Sequence, residues 1–88
     1  MEQTPTLSDI GREIRASWRK PYYGAVPYID ALCELDVPAT REGVATAMYG
    51  DDSARDVVLR FLSNATSWRG DIARATKAIL KKAVGLKS

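Results

Sequence analysis

Arg12, Arg15 and Arg19 recur at spacings of three and four, and Arg74, Lys77 and Lys81 do the same near the other end of the chain. At about 100° per helical residue, each trio falls within a sector of roughly 60°. A stripe of such cations suits phosphate contacts, and arginine in particular grips phosphate through paired hydrogen bonds. If the first and last helices pack side by side, the six cations form one surface for DNA or RNA, led by the phosphate backbone and weak in sequence preference. The same spacing also describes a solvated face that keeps a protein soluble.

Other chemistries have less to work with. The 88 residues include no histidine and one cysteine, Cys33. The usual near-neutral general base, histidine-assisted nucleophiles and most zinc or transition-metal sites are therefore excluded. Cys33 lies in an apolar periodic stretch beside Glu34, which reads as a small core residue rather than an activated thiol. Asp51, Asp52 and Asp56 are the densest acidic group, but they lack the alternating ligands of a calcium loop. They read instead as a helix N-cap with favourable charge near the positive end of the helix dipole. No glycine-rich phosphate loop occurs. The expectation is a protein that is not an enzyme and needs no cofactor or metal.

These side chains must be positioned by helices. Thr6 with Asp9 resembles a capping box, followed by Leu7, Ile10, Ile14 and Trp18 on one face, and Pro21 stops that helix. Pro27 suits the first turn of a second helix carrying Tyr28, Ile29, Leu32, Cys33 and Leu35. Thr40 caps a short third helix with Val44, Ala47 and Met48 inward and Gly50 at its end. Asp51 or Asp52 then caps a fourth, whose apolar arc runs through Ala54, Val57, Val58, Phe61, Leu62 and Ala65. Thr66 or Ser67 caps the last, which reaches Gly85 with Trp68, Ile72, Ile79, Leu80, Ala83 and Val84 inward. Nothing alternates with period two over more than a few residues, so strands are not expected.

The chain is thus expected to be all-α: a single domain, a compact bundle of four to five short helices over 6–85, with a flexible tail at 1–5 and a C-terminal tail at 86–88. The expected core includes Ile10, Ile14, Trp18, Leu32, Val58, Phe61, Ile72 and Ile79. Ser17-Trp18-Arg19 recurs as Ser67-Trp68-Arg69, but Asp9-Ile10 and Asp71-Ile72 match at a different offset, so there is no duplication.

Docking on another protein is the other functional class, and the one we expect. Tyr22, Tyr23 and Tyr49 fall in connections, where an amphipathic ring can serve a contact without being needed by the core. Leu59 points about 130° away from the centre of the fourth helix's apolar arc, so it is either covered by a neighbouring helix or exposed at a contact. Residues 21–65 carry a net charge of −4 and residues 66–88 of +5, a polarity that can steer a partner. A helix-turn-helix with Gly50 as its turn glycine is rejected, because it puts Asp51 and Asp56 at positions that need apolar residues.

The basic amphipathic stretch from Ile72 to Lys87 resembles a membrane-surface helix, but its apolar face is needed for the core, so a membrane partner is not expected. No export signal or long apolar run is evident, and a cytoplasmic location is expected. The stretch from Tyr49-Gly50-Asp51-Asp52-Ser53-Ala54 through Phe61-Leu62-Ser63-Asn64-Ala65-Thr66-Ser67-Trp68-Arg69-Gly70 resembles small helical proteins of phages and mobile elements. That resemblance implies an accessory gene product and carries over no functional residue.

Overall fold

The computed structural model describes residues 4–86, in which five helices and one two-stranded hairpin follow the order α1 (Leu7–Ser17), α2 (Val26–Glu34), α3 (Arg41–Thr46), β1 (Met48–Tyr49), β2 (Asp52–Ser53), α4 (Ala54–Ser63) and α5 (Asp71–Ala83). The mostly helical architecture expected from the periodicity is present. Of the expected tails, only Thr4, Pro5 and Leu86 fall within the described residues, and the Pro5 carbonyl accepts from the Ala39 N–H at 2.9 Å.

The start of α1 is set locally. Thr6 Oγ1 accepts from the Asp9 N–H at 3.0 Å while the Thr6 N–H donates to the Asp9 carboxylate at 3.2 Å, closing the capping box. Leu7, Ile10, Ile14 and Trp18 all turn inward. Packing of α1 on α2 is close because Gly11 faces Cys33. A Cβ at position 11 would stand 2.8 Å from both the backbone N and the Sγ of Cys33.

α4 supplies the middle of the core, with Val58 and Phe61 fully buried. The Phe61 ring meets the rings of Trp18 and Trp68 edge-on, at centroid distances of 6.5 Å and 6.3 Å. The side-chain oxygen at its N-cap belongs to Ser53, which accepts from the Asp56 N–H, rather than to Asp51 or Asp52. The reason is the hairpin before it. α3, capped by Thr40 as expected, ends at Thr46, and the chain then reverses through Met48↔Ser53 and Tyr49↔Asp52. Gly50, with φ of 62°, occupies the first position of a two-residue turn instead of ending α3. Met48, expected inward, is therefore on an exposed strand. The absence of strands is corrected to this extent.

α5 departs further from the sequence reading. It begins at Asp71 with Gly70 as N-cap, not at Thr66 or Ser67, so Trp68 is buried from the connection before the helix. Its inward face is Ala73, Thr76, Leu80 and Ala83, while Ile72 and Ile79 are 52% and 40% exposed. Those two isoleucines are corrections to the expected core; the other six expected core residues are buried. Small side chains let α5 approach the core closely, which rotates the larger isoleucines to its flank. A Leu86 N–H to Lys81 carbonyl bond and a Gly85 N–H to Lys82 carbonyl bond close its C-terminus, with Gly85 at φ 81°.

Candidate protein-docking site

Between α1 and α2 the chain turns through Pro21-Tyr22-Tyr23-Gly24, held by the Ala25 N–H donating to the Tyr22 carbonyl at 2.8 Å. Pro21 cannot continue α1, and Pro27 pre-sets the first turn of α2, so the two tyrosines are left at the corner between the helices. Their rings tilt together at 4.8 Å between centroids. Tyr23 is 80% exposed and Tyr22 45%. The neighbouring Tyr23 hydroxyl raises the Tyr22 phenol above its ordinary pKa.

Val26 and Pro21, neither of them expected as a contact residue, edge a groove of about 230 Å³ at this corner. Its apolar floor is Trp18 and Ile29, and Arg15, Arg19 and Asp30 supply its charged rim. Arg15 is ion-paired with Asp30, and both are about half exposed. Arg19 makes no ion pair among the described residues. The arrangement can receive an apolar side chain on the floor and a carboxylate at Arg19. Tryptophan, tyrosine and arginine are the residue types that dominate binding energy at protein interfaces.

The remaining proposed contact residues lie elsewhere. Tyr49 sits on β1, and its hydroxyl donates to Glu34 Oε2 at 3.0 Å, tying the hairpin to the end of α2. That carboxylate raises the Tyr49 phenol above its ordinary pKa. Leu59 is half-buried against the core, which accounts for a leucine there by packing alone.

The six cations of the two stripes do not form one surface. Arg12 is bonded to Asp9 at 2.9 Å, and Arg15 and Arg19 border the groove between α1 and α2. α1 instead approaches α5 with Ile10 and Glu13, roughly 160° around the helix from that stripe. α5 answers with Thr76 and Ile79, again roughly 160° from the sector of Arg74, Lys77 and Lys81. Arg74 and Lys77 line a separate open groove of about 270 Å³ with Trp68 and Arg69. There the Lys77 ammonium donates to the Trp68 carbonyl at 2.6 Å and lies 6.0 Å from the centroid of that ring. Partial burial, then repulsion from Lys81 and Arg69, lowers its pKa.

Among the described residues no group of three or more histidine, cysteine or acidic side chains is placed to hold a metal ion, and no helix is long and apolar enough to cross a membrane. No family model, curated protein or solved structure matches the chain.

Proposed function

We propose that this chain is a non-enzymatic helical interaction module, of the accessory kind found in phages and mobile elements, that works in the cytoplasm by docking on another protein. The docking surface is the corner made by Tyr22, Tyr23 and Val26 with the groove behind them. The observation that carries this reading is the exposure of Tyr23, at 80%, on the connection whose Pro21 lines a groove floored by Trp18 and Ile29. Neither tyrosine is needed by the core, and together they offer rigid amphipathic area at small entropic cost. The partner segment would bring an apolar side chain to the floor and an acidic one to Arg19.

The test is capture of partners from the natural host by the intact chain and by a Tyr22→Ala, Tyr23→Ala variant shown by circular dichroism to remain helical. The expected result is a stoichiometric protein partner that the variant loses. Undiminished capture by the folded variant removes this surface, and recovery of nucleic acid without protein removes the reading.

Backbone-led nucleic-acid binding is the second reading. It is favoured by the groove at the start of α5, where Arg69, Arg74 and Lys77 converge and no carboxylate is among the lining residues. Retardation of DNA or RNA at low salt that Arg74→Glu abolishes would support it.

A further inference from the structure

Ile79 is 40% exposed and stands between two grooves that it alone shares. The first, of about 370 Å³, runs between α5 and α1 past Ile10 and Thr76, and its charged rim is Asp9 and Glu13. The second, of about 320 Å³, runs between the C-terminal half of α5 and the start of α3 past Ala39 and Ala83. Its charged rim is Arg41 and Lys82. Ile72, two turns before Ile79 and 52% exposed, extends the apolar strip along α5. One rim is acidic and the other basic, and an apolar side chain separates them.

We propose that this face is where two copies of the chain pair about a two-fold axis passing close to Ile79. A surface that binds itself must be complementary to its own image under that rotation. Rotation about Ile79 carries the acidic groove over the basic one. Glu13 of each copy is thereby set opposite Arg41 and Lys82 of the other, and the two contacts are equivalent. The charges are free to do this. Asp9 is already engaged by the Thr6 N–H and Arg12, but Glu13, Arg41 and Lys82 form no ion pair among the described residues. The two Ile79 side chains meet at the axis and are withdrawn from water. This face is separate from the Tyr22–Tyr23 corner, so it stands or falls independently of the docking reading.

Analytical ultracentrifugation of the intact chain over a range of concentrations tests the pairing, with circular dichroism confirming that each variant stays helical. The expected result is a reversible dimer that weakens as salt rises, since the flanking charges are exposed. Ile79→Asp should leave a monomer, while Tyr22→Ala with Tyr23→Ala leaves the dimer intact. Glu13→Lys should weaken self-association about ten-fold or more by placing like charges together, as should Arg41→Glu with Lys82→Glu. Mixing those two variants should restore association as a one-to-one heterodimer, because both contacts then join opposite charges. A chain that remains monomeric at millimolar concentration overturns the proposal, as does a dimer indifferent to Ile79→Asp. Charge variants that pair no better mixed than alone overturn the two-fold arrangement. A monomer that captures a different protein through Ile79 assigns the face to that protein instead.

Discussion

Trp18 and Trp68 lie stacked, with ring centroids 5.7 Å apart and planes 12° from parallel, although fifty residues separate them in the chain. One is the C-cap of α1 and the other precedes α5, so the pair joins the two ends of the fold over the edge of Phe61. The recurring Ser-Trp-Arg tripeptides are thus spatial neighbours without being a duplication. Trp68→Ala should cost about 3–5 kcal/mol, the range for emptying a buried large aromatic site. Trp18→Phe should cost less, but it should abolish the exciton signal of the coupled indoles in circular dichroism. A signal unchanged by either substitution would contradict the stacking.

Gly11→Ala sets two effects against each other. Alanine is favoured over glycine inside a helix by roughly 1 kcal/mol, whereas overpacking a close contact costs about 1–3 kcal/mol. The new Cβ would meet the Cys33 backbone, which cannot rotate away as a side-chain tip can. The expected net effect is destabilisation, read as a lower Tm. Adding Cys33→Ala should recover only part of it.

The capping box gives the chain an acid-sensitive element. The Thr6 backbone N–H, the Arg12 guanidinium and the Thr6 hydroxyl hold the Asp9 carboxyl below its ordinary value of 3.8. A depressed carboxyl contributes stability above its unfolded pKa and loses it as pH falls through the folded pKa. Asp9→Asn should therefore be less stable than the parent at neutral pH, and the difference should close as pH drops below 3.8. Thr6→Ala, which removes the capping oxygen itself, should cost about 1 kcal/mol in urea unfolding.

The hydrogen bond between Tyr49 and Glu34 has the opposite sign. A phenol raised above its ordinary value of 10.0 contributes stability that is complete below the unfolded pKa and is lost as pH rises through the folded one. Spectrophotometric titration should show the Tyr49 transition displaced upward, and Glu34→Gln should return it toward 10.0. No movement on that substitution would mean that the hairpin is not tied to α2 in solution.

In nucleic-acid binding, the separation of the stripes limits how many cations engage at once. The groove at the start of α5 offers Arg69, Arg74 and Lys77, so the log–log salt slope should be about −3, against about −5 for all six stripe residues on a duplex. Arg12→Glu should leave the affinity nearly unchanged.

Features that depend on neighbours along the chain are legible without a fold. The cap at Thr6, the end of α1 before Pro21, the cap at Thr40 and the inward faces of α1 and α4 follow from local hydrogen bonding and helical period, and all are present. The lack of histidine likewise closed whole classes of chemistry without any coordinates. Which flank of α5 turns inward depends instead on long-range packing. Its wheel offers two overlapping arcs, one rich in isoleucine and one in alanine, and hydrophobicity alone favours the wrong one. The smaller arc wins because alanine and threonine beside Leu80 permit closer approach of the helix to the rest of the core, and dense packing outweighs the larger area of two isoleucines. That rotation leaves Ile72 and Ile79 at the surface. The tyrosine corner was legible as exposed connection residues, but its groove was not, since Trp18 and Ile29 come from different helices and meet only when α1 folds against α2.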